Sequence, residues 1–293
     1  MAKDKTPVDL TITPRDRRFG RDAKQDRWWF AGDPFKTAFL NALSVTFPRG
    51  EAYFVESVKA FRDGVPPKLE REIRAFVQQE VMHSREHVVF NRKVAETGYD
   101  IQPLEQAVID SMEQVKGRAP IIDLCVTMAL EHYTALLAEG ILKNPEWFEG
   151  ADKEWVDLWR WHAIEEIEHK GVAYDTWLHA TKDWSRWKRW SVKSRVMAII
   201  TVIFWKRRIS GMLYLLKQDG ITGWRAGWGL FKRLLISPGI LRKAIPGWLS
   251  YFLPGFHPWN RDDRQLIQLV DSEYEDARMP QGESEGRREA LAA

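Results

Sequence analysis

Two glutamate–histidine pairs at helical spacing constrain this chain more than any other feature. The first is Glu80 and His83 in FVQQEVMHSREH, and the second is Glu166 and His169 in WHAIEEIEHK. Residues i and i+3 of a helix lie one above the other on the same face. Each pair therefore aims a carboxylate and an imidazole at one point. Two such helices, with one glutamate from each of two others, make a carboxylate-bridged two-metal site inside a four-helix bundle. The chain supplies both extra glutamates, Glu51 in FPRGEAYF and Glu131 in MALEHYTALLAE. The steps from Glu51 to Glu80, Glu131 and Glu166 are 29, 51 and 35 residues. Each step fits a helix, a turn and half of the next helix at ~1.5 Å per residue, and the longer middle step suits a crossover connection. One such glutamate alone is usually a solvated helix-face residue. The interleaved set is harder to dismiss, because five of the seven histidines (His83, His87, His132, His162 and His169) fall in these segments.

His162 precedes Glu166 by four residues and His169 by seven, so all three share one helical face. It is the seventh candidate ligand, after Glu51, Glu80, His83, Glu131, Glu166 and His169. Two registers stay open. Glu51 follows Pro48-Arg49-Gly50, which places it at a helix start, with Glu56 as the fallback. Glu165 replaces Glu166 if the helix is turned slightly. His87 and His132 have no assigned role, and His257 in FHPWN reads as structural. Mixed carboxylate and imidazole donors suit iron first, with manganese or zinc as alternatives. Four acids in an apolar interior would be costly without cations, so metal-dependent stability is expected.

The rest of the chain sets the context. Hydrophobic content of 44% is enough for a sizeable core. The single cysteine, Cys125, excludes an internal disulfide and reads as a buried thiol in IIDLCVTMAL. The first residues carry no apolar stretch of signal-peptide type, so the expectation is a cytoplasmic protein, peripheral to the inner face of the membrane if it meets one. Residues 1–33 read as a basic arm, extended or disordered, that docks by WWF. Residues 34–182 read as the helical metal-binding bundle, with helices over 34–47, 51–62, 68–97, 103–116, 121–143 and 153–182. Residues 183–275 read as a Trp-rich basic region packing on the bundle or on a membrane surface, with a last short helix near 266–275. Residues 276–293 read as a polar, disordered tail.

Net charge is only +3, yet residues 182–243 hold fifteen Lys or Arg against Asp183 and Asp219. Interleaved with tryptophans, they suit a wrap around the bundle or an interfacial helix. The apolar run at 196–205 is too short to cross a ~30 Å hydrocarbon core. Stacking aromatics among basic residues would also permit nucleic acid, but no recognised module is visible and that reading ranks last.

On these residues the chain resembles the ferritin-like di-iron superfamily. In its ligand pattern it is similar to the arylamine N-oxygenases, whose last ligand helix bears an additional histidine at the spacing of His162. It also resembles a bacterial family labelled predicted metal-dependent hydrolase, through FPRGEAYF, QQEVMHSREH, LEHYTA, WHAIEEIEHK and FHPWN, over roughly residues 47–260. The resemblance implies an all-α, ferritin-like four-helix bundle with a dinuclear metal site in its core and additional C-terminal helices. It implies a non-haem di-iron oxidase or oxygenase, with O2 as co-substrate, acting on a small or lipid-like organic molecule. Electrons would come from an external donor, because no GxGxxG fingerprint is present. The alternatives are a hydrolase using a two-metal activated water and a non-catalytic metal-binding protein of the membrane surface. No catalytic residue beyond the ligands is singled out, and a homodimer is left open.

Overall fold

The computed structural model describes residues 6–276. Among them there is no strand. Eleven α-helices follow in order: α1 Pro34–Ser44, α2 Phe47–Lys59, α3 Pro67–Glu96, α4 Gln102–Val115, α5 Pro120–Lys143, α6 Lys153–His169, α7 Val172–Ala180, α8 Arg186–Gln218, α9 Gly223–Phe231, α10 Ile240–Ser250 and α11 Arg264–Asp276. The expected tail lies outside the described residues from 277 onward.

Four of the helices pack in a closed cycle, α2 on α3, α3 on α6, α6 on α5 and α5 on α2. α5 is the axis of the core. Its apolar residues run almost all round the helix, and Leu124, Cys125 and Ala129 are fully buried. A helix apolar on every side belongs inside a protein or a membrane. By length and composition α5 alone among the described residues could cross a bilayer, but 78% of its apolar window is buried within the fold. α7, α8 and α10 cover its remaining surfaces.

α6 is fastened by tryptophan. Trp155, Trp159 and Trp161 are each 2% exposed or less. Burying roughly 200 Å² per indole at ~25 cal/mol per Å² contributes on the order of 5 kcal/mol each before entropy is counted. That is ample to hold a helix carrying several buried charges.

Two helix boundaries depart from the sequence reading, and both concern the site. The break expected at Pro48 and Gly50 lies earlier, at Val45 and Thr46, and α2 begins at Phe47. Pro48 sits in the first turn, where a missing N–H costs nothing. Glu51 therefore stands inside α2, 1% exposed. The fallback, Glu56, is on the outer face, 3.8 Å from Lys59. The single helix expected over 153–182 is two, α6 and α7, broken at Lys170-Gly171. A Cβ at Gly171 would lie 2.9 Å from Thr6 Oγ1 and from the Trp259 ring, so only glycine fits that corner without a shift. The apolar run at 196–205 proves to be the middle of one 33-residue helix, α8.

Residues 6–33 form no helix, yet they are pinned along α6 and α3. The Arg15 N–H donates to Glu165 Oε1 (2.8 Å), the Phe19 N–H to Glu86 Oε2 (2.9 Å), and Trp161 Nε1–H to the Arg15 carbonyl (3.0 Å). Trp29 and Phe30 are buried, whereas Trp28 is 40% exposed.

Candidate metal centre

The cycle of helices gathers its buried polar residues in one interior region. α3 contributes Glu80, His83 and His87, α6 contributes His162, Glu165, Glu166 and His169, α2 contributes Glu51, and α5 contributes Glu131. All are 3% exposed or less. Donor atoms of Glu80, His83, Glu166 and His169 lie within 4.8 Å of one another, and so do those of Glu51, His83 and His162. Ligands held ~2.1 Å from a cation stand roughly 3–4 Å apart, so both groups have the spacing of a metal site. They share His83. Glu131 belongs to neither group but joins the first through His169, whose Nδ1 is 3.0 Å from Glu131 Oε2.

The decisive feature is what these atoms lack. Glu51 Oε1, both oxygens of Glu80, His83 Nδ1, Glu131 Oε1, Glu166 Oε2 and His169 Nε2 are buried and make no hydrogen bond. Each unsatisfied buried polar atom costs ~1–3 kcal/mol. Seven together would cost on the order of 10 kcal/mol, comparable with the whole stability of a typical domain. Such a cluster cannot be there to stabilise the bare fold. The donor set, four carboxylates and three imidazoles in a buried interior, fits two divalent cations. His83 is common to both groups, with Glu51 and His162 completing one and Glu80, Glu166 and His169 the other, beside which Glu131 stands.

The electrostatics agree. Burial first, and then the neighbouring Glu80 charge, pushes the Glu51 carboxyl well above its ordinary range. Burial likewise raises Glu80, with Glu131 and Glu166 adding to it against the pull of His169. Burial lifts Glu131 to about 7. Glu166 differs. Burial would raise it, but His169, His162 and His83 outweigh that and hold it down at about 2. Burial opposes protonation of His169, yet Glu131, Glu166 and Glu80 lift it to about 9. Without cations, these carboxyls and imidazoles must share protons to neutralise one another.

Glu165, weighed above as an alternative ligand, points elsewhere. Its Oε2 lies 2.9 Å from His83 Nε2, while Oε1 accepts from the Arg15 backbone. The other ring nitrogen, Nδ1, is the unpartnered one, 3.7 Å from Glu80 Oε2. A carboxylate on the outer nitrogen of a histidine fixes its tautomer and makes it a better metal donor. Glu51 is steadied in the same way by Ser84, whose Oγ donates to Oε2 at 2.8 Å.

His87 is the start of a relay. Ser44 Oγ donates to Asn91 Oδ1 (2.6 Å) and so accepts from His87 Nδ1 (2.8 Å). His87 Nε2 must then accept from His162 Nδ1 (2.9 Å). That leaves the His162 Nε2 lone pair facing Glu166 Oε1 at 2.8 Å. Burial and the neighbouring imidazoles push His162 down to about 4, so it is neutral while Glu166 is ionised. Two lone pairs do not sit 2.8 Å apart unless a proton or a cation lies between them. His132 is remote from this: its Nε2 meets the Gly247 carbonyl (3.0 Å). His257 is held by Asp175 (2.8 Å).

Sequence reasoning did not single out Arg15, Ser44, Ser84 or Asn91. The arm's RDRR stretch gave no hint of a contact with Glu165, since 150 residues separate the two. The i+4 step from His83 to His87 was the only local signal for the relay.

A cavity of about 240 Å³ between α2, α4, α5 and α8 reaches Glu51, and most of its lining is apolar, including Phe54, Val126, Leu130 and Ile200.

The chain belongs to the family described as predicted metal-dependent hydrolase, whose pattern matches residues 13–262. No curated protein and no solved structure matches it.

Proposed function

We propose that this member of the predicted metal-dependent hydrolase family is an enzyme whose two-metal centre acts on an apolar substrate held in the cavity beside Glu51. The observation that carries the reading is the set of seven buried donor atoms that make no hydrogen bond. Glu51, Glu80, His83, Glu131, His162, Glu166 and His169 would hold the cations. Hydrolysis is the reaction that the family description favours. Two bound divalent cations would supply Lewis-acid polarisation and an activated water nucleophile.

The chain's own residues do the rest. Glu165 orients His83, and Ser84 orients Glu51. The Ser44–His87–His162 relay turns a lone pair of His162 inward. Phe47, 4.7 Å from both the His87 and His162 rings, keeps water from that side. Glu51 is the one carboxylate that lines the cavity, which places it beside the reacting group.

A second reading has its own support. Four carboxylates and three imidazoles in a buried setting suit iron or manganese, and the order of the ligands is that of the ferritin-like di-iron bundle. On that reading the protein oxidises its substrate with O2, using an external electron donor. Loading the metal-free chain separately with zinc(II) and, without air, with iron(II) separates the two. Turnover of ester or phosphoester probes by the zinc form supports hydrolysis. Substrate-dependent O2 consumption by the iron form, with an inert zinc form, supports oxidation. Neither activity in either form counts against an enzyme.

The outer faces of the C-terminal helices add a location to the proposal. Ile199, Val202, Ile203 and Leu213 make an exposed stripe on α8, and Trp224, Trp228 and Phe231 make another on α9. Exposed Lys188, Arg195, Lys206, Lys217, Arg225 and Lys232 flank them. Apolar stripes bordered by cations suit the surface of an anionic bilayer.

A further inference from the structure

The cavity beside Glu51 has a second polar landmark, Arg208. Three arginines line this cavity, and two of them are accounted for. Arg118 pairs with Asp123 at 2.9 Å, and Arg207 is exposed and bonded to Ser111 and the Ala107 carbonyl. Arg208 is 4% exposed and forms no ion pair among the described residues. It donates to the Ala42 carbonyl and to Thr46 Oγ1 (3.2 Å). Its Nε is buried with no partner, although a guanidinium carries five donors. Burial alone pushes it down to about 9, so it remains charged at neutral pH. An uncompensated buried cation is among the costliest groups a fold can hold, and capping the end of α1 uses only part of its hydrogen-bonding capacity.

The surroundings suit an anion. Arg208 grips Thr46, the residue before α2, and the α2 N-terminus adds the partial positive charge of a helix start. Glu51 lies five residues further along the same helix, roughly 7–8 Å at the rise of an α-helix. The apolar wall runs from this end of the cavity over Val108, Met112 and Ile203, and Ile203 is half-exposed at the α8 surface.

We infer that the cavity binds a single-chain amphiphile with an anionic head, a carboxylate or a phosphate, which Arg208 pairs while the chain lies along the apolar wall. That the bound molecule is the substrate rests on the proposed two-metal enzyme; that it binds does not.

The test is equilibrium binding to the full chain, metal-free and zinc-loaded, with dodecanoate, dodecyl phosphate and dodecanol as probes, the anions below their micellar concentrations and the alcohol below its solubility limit. Metal content is measured in the same samples. At least one of the anionic probes should bind tenfold or more tighter than dodecanol, and which one identifies the head. Arg208→Gln should erase that preference and leave dodecanol within about twofold. Met112→Trp narrows the cavity with Arg208 in place and should weaken every probe. Equal binding of anion and alcohol to the unaltered chain overturns the inference, as does full-strength binding to Met112→Trp. If two metals load and no anionic preference exists, the inference fails while the metal-centre reading stands. If the preference exists without metal binding, the reverse holds.

Discussion

Glu165 Oε2 lies 2.9 Å from His83 Nε2, on the ring nitrogen opposite the one that faces Glu80 and Glu166. The two neighbours Glu165 and Glu166 thus divide the work. Glu166 enters the donor cluster, and Glu165 holds a histidine from behind. Glu165→Gln should preserve the number of metals bound and weaken their affinity about 10–100-fold, the usual effect of losing such an outer partner. Competition with a chelator of known affinity measures it. Complete loss of metal from Glu165→Gln would make it a ligand.

Arg15 ties the arm to the centre. Its guanidinium meets Glu168 Oε1 and Asp271 Oδ2, both at 2.8 Å, and Glu168 is 2% exposed. Arg15→Met leaves a buried carboxylate without its cation, which costs about 3 kcal/mol. Chemical denaturation should show a loss of that order. A change below about 1 kcal/mol would mean that the arm contributes little.

The metal-free chain should lose stability as the pH rises from about 6.5 to about 8. His169 is lifted to about 9 from 6.5, so protonation favours the fold below 6.5 and that contribution is lost as the pH climbs through 9. Glu131, lifted by burial to about 7 from 4.5, acts in the same direction over its own window. The raised carboxyls of Glu51 and Glu80 do likewise. His162 and His132, pushed down by burial to about 4, and His87, pushed well below its ordinary value, work the other way near the lower end of this window, and Lys193, lowered by burial to about 8, does so at its upper end. A fall in melting temperature of roughly 2–5 °C is expected across this window. Two equivalents of zinc should flatten or reverse it, because cations displace the same protons. A metal-free melting temperature that holds or rises would contradict the assignment of charges.

Co-sedimentation with vesicles tests the outward stripes on α8 and α9. Binding should appear with anionic vesicles, weaken at high salt, and fall at least fivefold in a Trp224→Ser, Trp228→Ser double variant that keeps its metal. Equal recovery with neutral vesicles, or an unaffected double variant, would argue against an anionic bilayer.

How much of this was readable in advance follows from how local each feature is. The Glu80/His83 and Glu166/His169 pairs and His162 are read from spacing within one helix, and the all-helical fold follows from apolar periodicity with no alternating segments. The start of α2 was misplaced because Pro48 and Gly50 look like a break. In fact Phe47 and Pro48 start the helix, and Phe47 packs against His87 and His162. Choosing between Glu165 and Glu166 required knowing that the arm's Arg15 lies over one of them, a contact across 150 residues. Arg208 was one cation among fifteen in a basic stretch. Only the tertiary fold separates it from its exposed neighbour Arg207.

The most direct test of the central claim is metal stoichiometry by elemental analysis of the reconstituted chain, alongside Glu166→Gln and Glu131→Gln. Two ions per unaltered chain, with less than one retained in each variant, is the predicted result. No stoichiometric metal in the unaltered chain, or two ions retained by both variants, would contradict it.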